Sequence, residues 1–202
     1  MNAVVHPLRV MRRKDLEIAL EKVPRFEDPD PSLEQYPTPA AIAAEIVFDA
    51  YRRGDIAGMK VMDLGCGTGM FSMAAWLMGA GMVVGYDISE KALCAECFGA
   101  DIDFKLSDVK DVCEGADTVL MNPPFGSQRR NADRPFLDKA MESAERVYSI
   151  HMANTLDFLM GYTEEKGRRI SSYKIYKYDI PHTFSFHTKT KQTVEIAAVL
   201  IE

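Results

Sequence analysis

Apolar residues run along this chain in short blocks whose period changes, and the changes predict alternating strands and helices. Leu16, Ile18, Ala19 and Val23 sit at helical spacing in and just after Met11–Lys22, which predicts a short amphipathic helix. Prolines at 24, 29, 31, 37 and 39 predict an irregular segment next. Ala40–Arg53 reads as a helix, with Thr38 as the capping hydroxyl and Pro39 at the first helical position. Beyond Gly54–Gly58, strands are predicted at Lys60–Asp63, Val83–Asp87, Asp103–Leu106, Thr118–Met121 and Val147–Met152. Helices are predicted at Met70–Met78, Ser89–Phe98, Phe136–Glu145 and Thr155–Glu165. Tyr173–Tyr178 and Val194–Ile201 read as two further strands with no helix between them, hence an antiparallel hairpin at one edge. The pattern as a whole predicts an α/β fold with a mainly parallel, seven-stranded sheet.

Parallel strands joined by right-handed crossovers leave a ligand crevice at their carboxyl ends. Gly65, Asp87 and Asn122 each fall just after a predicted strand, so the pattern places all three at that end.

The first of these segments is Asp63-Leu64-Gly65-Cys66-Gly67-Thr68-Gly69, between a strand and a helix. Glycines there permit a tight turn and close approach of backbone to ligand. Asp87 ends the next strand, where a carboxylate can accept both hydroxyl hydrogens of a ribose. Together these features predict a bound adenine nucleoside. A dinucleotide loop would want G-x-G-x-x-G, with pyrophosphate at the helix N-terminus. Here the third glycine position is Met70. S-adenosylmethionine carries no phosphate and needs no such cradle.

The second segment is Asn122-Pro123-Pro124-Phe125. Two prolines fix the backbone beyond the strand and donate no hydrogen bond, so carbonyl oxygens stay available. A planar amino or amide nitrogen is a poor nucleophile because its lone pair is delocalised. Two acceptors on its hydrogens, the Asn122 side-chain oxygen and the Pro123 carbonyl, would hold it and favour pyramidal geometry. Phe125 offers an aromatic face on which a base could stack. Transfer then needs in-line approach to a methyl group more than it needs a strong base. A base inside a duplex would have to be flipped out to reach such a pocket. A proline turn of purely structural meaning remains the plain alternative.

Composition refines this picture modestly. Hydrophobic residues make up 47% of the 202 positions and charged residues 27%, as in a water-soluble globular chain. No apolar run reaches the ~18 residues of a membrane span, and the N-terminus lacks a signal-peptide core, so a cytoplasmic protein without membrane contact is expected. Net charge is −6, unevenly spread: +3 over residues 1–25, −11 over 26–125, +4 over 126–192 and −2 over the last ten. The basic stretch after the Asn-Pro-Pro-Phe segment suits a nucleic-acid partner; ordinary surface variation is the alternative. Cys94 and Cys97 form a C-x-x-C, yet Cys66 and Cys113 do not complete a zinc set, so reduced thiols and no metal site are expected.

The motifs together resemble the methyltransferase-like family that makes N6-methyladenosine in small-subunit ribosomal RNA, including its archaeal members. The resemblance is carried by Leu33-Glu34-Gln35-Tyr36-Pro37-Thr38, Asp63-Leu64-Gly65-Cys66-Gly67, Gly85-Tyr86-Asp87 and Met121-Asn122-Pro123-Pro124-Phe125-Gly126. Val147–His151, Tyr178–Pro181 and Phe186-His187 add to it. It implies a Rossmann-like class I fold in one domain, residues 1–202, with residues 1–39 an N-terminal helix and cofactor-covering segment ahead of a catalytic core at 40–202. It further implies S-adenosyl-L-methionine as cofactor. Gln35 and Thr38 would fold over it, Gly65, Gly67, Thr68 and Met70 would line its methionine end, and Asp87 would hold its ribose. Asp108 and Val109 would meet its adenine, and Asn122, Pro123, Pro124 and Phe125 would form the target pocket. RNA, in particular rRNA, is the implied substrate, and a small zinc-binding activator protein an implied partner. One departure is that family members often carry consecutive lysines after the Phe-His pair, where this chain has Thr188-Lys189-Thr190-Lys191-Gln192. His187 and His151 are each open to a site role or a structural one. Glutamine-N5 protein methylation, guanine-N2 RNA methylation, a silent binding module and a dinucleotide enzyme are the competing functions.

Overall fold

The computed structural model describes residues 11–26, 29–90, 99–126, 129–180 and 192–202. Helix α1 (Arg13–Leu20) and a 3-10 turn at Pro31–Leu33 precede α2 (Ala40–Arg53). Then follow β1 (Lys60–Leu64), α3 (Met70–Leu77), β2 (Met82–Asp87), β3 (Asp103–Leu106) and β4 (Thr118–Met121). The chain continues as α4 (Arg134–Ser143), β5 (Arg146–Met152), α5 (Leu156–Glu165), β6 (Ile170–Ile180) and β7 (Gln192–Ile201). Every strand expected from the pattern forms, most within a residue or two of its predicted ends. The helix expected over Ser89–Phe98 lies largely outside the described residues, as do Cys94, Cys97, Phe186 and His187.

The seven strands lie in the order β3-β2-β1-β4-β5-β7-β6. Pairs β1–β2, β2–β3, β1–β4 and β4–β5 are parallel, and β7 is antiparallel to both β5 and β6. The chain winds outward from β1 to β3, then returns to β4 on the other side of β1. Strand order therefore reverses between β1 and β4, and crevices open at such switch points.

Side chains alternate across the sheet because successive Cβ atoms point to opposite faces. On β1, Val61 joins the core beneath α1, α2 and α3, whereas Met62 and Leu64 join the core on the other face. On β4, Leu120 faces the first core and Val119 and Met121 the second. Burial of such side chains contributes roughly 1.5–3 kcal/mol each. Exposed ion pairs such as Lys14–Glu17, at 2.9 Å, add at most ~1 kcal/mol, so apolar packing dominates. Among the described residues, no helix is long and apolar enough to cross a membrane.

One local expectation is corrected. Thr38 does not cap α2: the cap position is Pro39, with no side-chain cap bond. The Thr38 hydroxyl is engaged elsewhere, by the side chain of Asn122.

Candidate active site

Register brings the motif segments together. Leu64 is paired with Tyr86 on one side and Met121 on the other. The residues that follow, Gly65, Asp87 and Asn122, therefore leave the sheet side by side at its carboxyl edge. They border a cleft of about 480 Å³. Its wall also includes Gln35, Thr38, Gly67, Thr68, Met70, Asp108, Val109 and Pro124. All nine residues expected to meet a cofactor are thus gathered in one cavity, although they come from positions 35 to 109.

The glycine loop is held from both sides. Gly67 has φ +53°, and its N–H donates to Asp87 Oδ2 at 2.8 Å. A Cβ added at Gly67 would meet the Phe26 ring at 3.0 Å. Gly65, at φ +68°, is backed by the Phe136 ring at the same distance. Positive φ and an aromatic wall together admit only glycine at both positions. The other Asp87 oxygen, Oδ1, accepts the Ser89 N–H at 2.8 Å.

Asp63 works one layer below. Its Oδ2 accepts both the N–H of Ser72 at 2.8 Å and its hydroxyl at 2.6 Å. Ser72 is the third residue of α3, whose cap Gly69 offers no side chain, so Asp63 caps this helix from the neighbouring strand. Burial pushes the Asp63 carboxyl up to about 7, with the nearby Asp87 charge adding to the rise. Asp87 is likewise raised by burial, against the lowering effect of the N–H groups it accepts. The partly buried Asp87 carboxylate favours a ligand that brings hydroxyl donors and positive charge. S-adenosylmethionine brings a sulfonium, an ammonium and a ribose diol, whereas a pyrophosphate brings negative charge. The residues present therefore fit S-adenosylmethionine.

The Asn-Pro-Pro-Phe side is ordered by residues 34–38. Side chains alternate along β4, so Asn122 continues the face of Leu120, which is the face of α2. There its Nδ2 donates to Thr38 Oγ1 at 3.0 Å. Its Oδ1 is buried and has no hydrogen-bond partner among the described residues. The Glu34 carboxylate accepts the Phe125 N–H at 2.8 Å. Glu34 is buried and holds φ +51°, a left-handed conformation that costs a non-glycine residue about 1–3 kcal/mol. Two further bonds brace the segment: Gln35 Oε1 accepts the Asp30 N–H at 2.7 Å, and the Tyr178 hydroxyl donates to the Pro37 carbonyl at 3.1 Å.

Pro123 and Phe125 stand outside the cleft wall. Pro123 is buried, and the Phe125 ring packs against the core on the α2 face. The aromatic face expected to stack a base is thus behind the cavity. His151 is a core residue: it is 2% exposed, with Nε2 at 2.7 Å from Ser149 Oγ and Nδ1 at 3.6 Å from Asp133 Oδ2. Cys66 is buried and Cys113 exposed, both as free thiols, and no metal-binding cluster occurs among the described residues.

Known proteins resemble this chain in both sequence and fold. A family model described as a methyltransferase domain matches residues 55–157. The chain belongs to the class I S-adenosylmethionine-dependent methyltransferases. Within that family it stands close to the rRNA N6-adenosine methyltransferases. The METTL5 enzyme of Danio rerio, an rRNA N6-adenosine methyltransferase, is 34% identical over 92% of this chain and 96% of its own length. An uncharacterised protein of Methanocaldococcus jannaschii is 36% identical, covering 95% and 93%. The crystal structure of a Pyrococcus horikoshii protein, provisionally described as an RNA methyltransferase, superposes with a TM-score of 0.89. It is 39% identical, covering 95% of this chain and 97% of that one.

Several residues of this methyltransferase's cleft escaped sequence reasoning. Glu34 lies inside the segment that carried the resemblance, yet nothing local to it announces a positive φ or a bond to Phe125. Phe26 and Phe136 back the glycines from positions 39 residues before and 71 residues after Gly65, which no periodicity links. Arg129 and Arg130 line the mouth of the cleft. Their charge is visible in the sequence, whereas their place beside the cavity is not.

Proposed function

We propose that this methyltransferase transfers a methyl group to N6 of adenine in RNA, with small-subunit ribosomal RNA as the substrate. The observation that carries the reading is the Asn122 amide: Nδ2 is held by Thr38, and Oδ1 is buried without a partner among the described residues. A buried acceptor without a partner costs about 1–3 kcal/mol, which an amino hydrogen of the substrate would recover. Similarity to an rRNA N6-adenosine methyltransferase over nearly the whole chain supports adenine as the acceptor. The basic residues at the cleft mouth, Arg129 and Arg130, support RNA.

When bound, S-adenosylmethionine supplies an electrophilic methyl group on a sulfonium centre. Asp87 would hold its ribose, its carboxylate already positioned by backbone N–H groups that include those of Gly67 and Ser89. Asp108 and Val109 would meet its adenine, Gly65, Gly67, Thr68 and Met70 would line its methionine end, and Gln35 and Thr38 would fold over it. Asn122 Oδ1 would accept an amino hydrogen of the target, and Pro123, buried outside the cleft wall, would fix the turn that carries it. Pro124 would wall the base. Phe125 would act from behind by anchoring the proline turn through Glu34. The carbon–nitrogen bond would form as the methyl–sulfur bond breaks, and the nitrogen would then lose its proton to water, so no strong base is required.

The test is incubation with labelled S-adenosylmethionine and ribosomal RNA, followed by nuclease digestion and nucleoside analysis. Label in N6-methyladenosine, abolished by Asn122→Ala, is the expected outcome. Label surviving nuclease but released by protease would point instead to a protein side-chain amide. A small activator protein belongs to the same proposal. Its support is the exposed apolar side chains at the two open edges of the sheet: Leu106 on β3, and Tyr173 and Ile175 on β6. Co-expression should raise solubility, and hydrogen exchange should show one of these edges protected.

A further inference from the structure

Phe158 is an aromatic ring left 43% exposed on the first turn of α5. It does not stand alone. Its centroid lies 5.6 Å from that of Tyr162, one helical turn on, with 30° between the planes. The Arg134 guanidinium carbon sits 5.2 Å from the Phe158 centroid and 5.8 Å from that of Tyr162. Tyr162 is fixed in turn: its hydroxyl donates to Asp138 at 2.8 Å, and Lys166 pairs with the same carboxylate at 2.9 Å. An exposed ring is thus held in place by a second ring and a guanidinium while 43% of the residue stays open to solvent. Arg134 Nε is buried and has no hydrogen-bond partner among the described residues.

Position gives this group its meaning. Arg134 directly precedes Pro135 and Phe136, both in the cleft wall, and follows Arg129 and Arg130 at its mouth. Phe158 comes six residues after the carboxyl end of β5, the strand paired with β4, whose end carries Asn122. The ring and the cleft therefore both follow the carboxyl ends of two adjacent strands, and α5 shares the second core with Phe136 of the cleft wall. The one carboxylate within the Arg129–Arg134 run, Asp133, is turned toward His151 at 3.6 Å. The exposed charges along this run are those of Arg129 and Arg130.

We propose that Phe158, backed by Arg134 and Tyr162, is a stacking platform for a base flanking the target adenosine, with Arg129 and Arg130 on the intervening phosphates. The proposal rests on RNA being the substrate. Flipping one nucleotide into the cleft unstacks its neighbours, and an aromatic ring on the rim restores the lost stacking for one of them. Every base offers a π-face, so this contact supplies affinity and register with little sequence preference. It also supplies the aromatic surface that Phe125, packed against the core, does not present in the cleft wall.

Binding is read by fluorescence anisotropy with the full chain and S-adenosylhomocysteine. The probes are a labelled oligoadenylate of about 12 nucleotides and an abasic ribose-phosphate strand of equal length. Phe158→Leu keeps apolar bulk against Tyr162 but removes the ring, so it should weaken oligoadenylate binding about 5- to 100-fold. Phe158→Trp should restore it, and neither variant should alter binding of the abasic strand or of S-adenosylhomocysteine. Unchanged oligoadenylate binding in Phe158→Leu overturns the platform. So does an equal loss on the abasic strand, or a wild type that holds both probes equally. Methylation assays separate the two claims. Ring-dependent binding without N6-methyladenosine formation sinks the function and keeps the platform. N6-methylation with an unchanged KM in Phe158→Leu does the reverse.

Discussion

Asn122 and Thr38, 84 positions apart, are joined by a 3.0 Å hydrogen bond from amide Nδ2 to hydroxyl Oγ1. The bond holds the Nδ2 end of the amide and leaves Oδ1 as the end without a partner among the described residues. With Nδ2 committed to Thr38, the remaining oxygen is an acceptor, as an amino-group substrate requires; reversed, the amide would offer a donor.

Thr38→Val should therefore lower kcat by about 10- to 100-fold while leaving the KM for S-adenosylmethionine within about threefold, because the loss is one of orientation. Thr38→Ser keeps the hydroxyl and should restore most of the rate. Steady-state kinetics on all three forms gives the answer, and equal damage by Val and Ser would refute the assignment.

Glu34 holds the same motif from the other side. Glu34→Ala leaves the Phe125 N–H without its acceptor and should cost about 1–3 kcal/mol of stability, read from urea titration. Glu34→Gln keeps an acceptor and should cost less than about 1 kcal/mol. Glu34→Gly loses the acceptor but relieves the strain at φ +51°, so it should fall between the two.

Asp87 braces the glycine loop and, in the proposed function, would hold the ribose. Asp87→Ala should weaken S-adenosylhomocysteine binding by about 100-fold or more, from the loss of charge-assisted hydrogen bonds worth ~1.5–3 kcal/mol each. Calorimetry should show the deficit concentrated in the enthalpy of binding.

Asp63 predicts a specific dependence of stability on pH. Its folded-state value is raised by burial from 3.8 to about 7, so between those limits the folded chain holds a proton that the unfolded chain has released. Its contribution is full below about 4 and is lost as pH rises through about 7, with a slope near 1.4 kcal/mol per pH unit between. Asp63→Asn removes the titration. The difference in unfolding free energy between wild type and variant should shift across pH 4–7 and level off above.

The strands and most helices were legible in the sequence because period and length are local properties. A run such as Val83–Asp87 has little alternative to a buried strand, and Pro39 followed by fourteen helical residues announces its own start. The cap on α2 was misread for a physical reason. A threonine before a proline-led helix satisfies the local rule for a cap, and only the arrival of Asn122 from β4 gives its hydroxyl a different partner. The candidate site was legible as separate parts. Gly65, Asp87 and Asn122 each follow a strand, and their chemistry favours a nucleoside and an amino nitrogen.

The sequence by itself determined the kinds of element, the residue chemistry at their ends and the family, because these depend on neighbours within one strand or one turn. The tertiary structure alone decided that β4 returns beside β1, which puts Asn122 next to the glycine loop. It alone decided that Thr38 orients Asn122, that Glu34 anchors Phe125 behind the cleft, and that Phe158 comes to the rim. Each of these depends on strand order and register, which are set by packing among residues far apart in the chain.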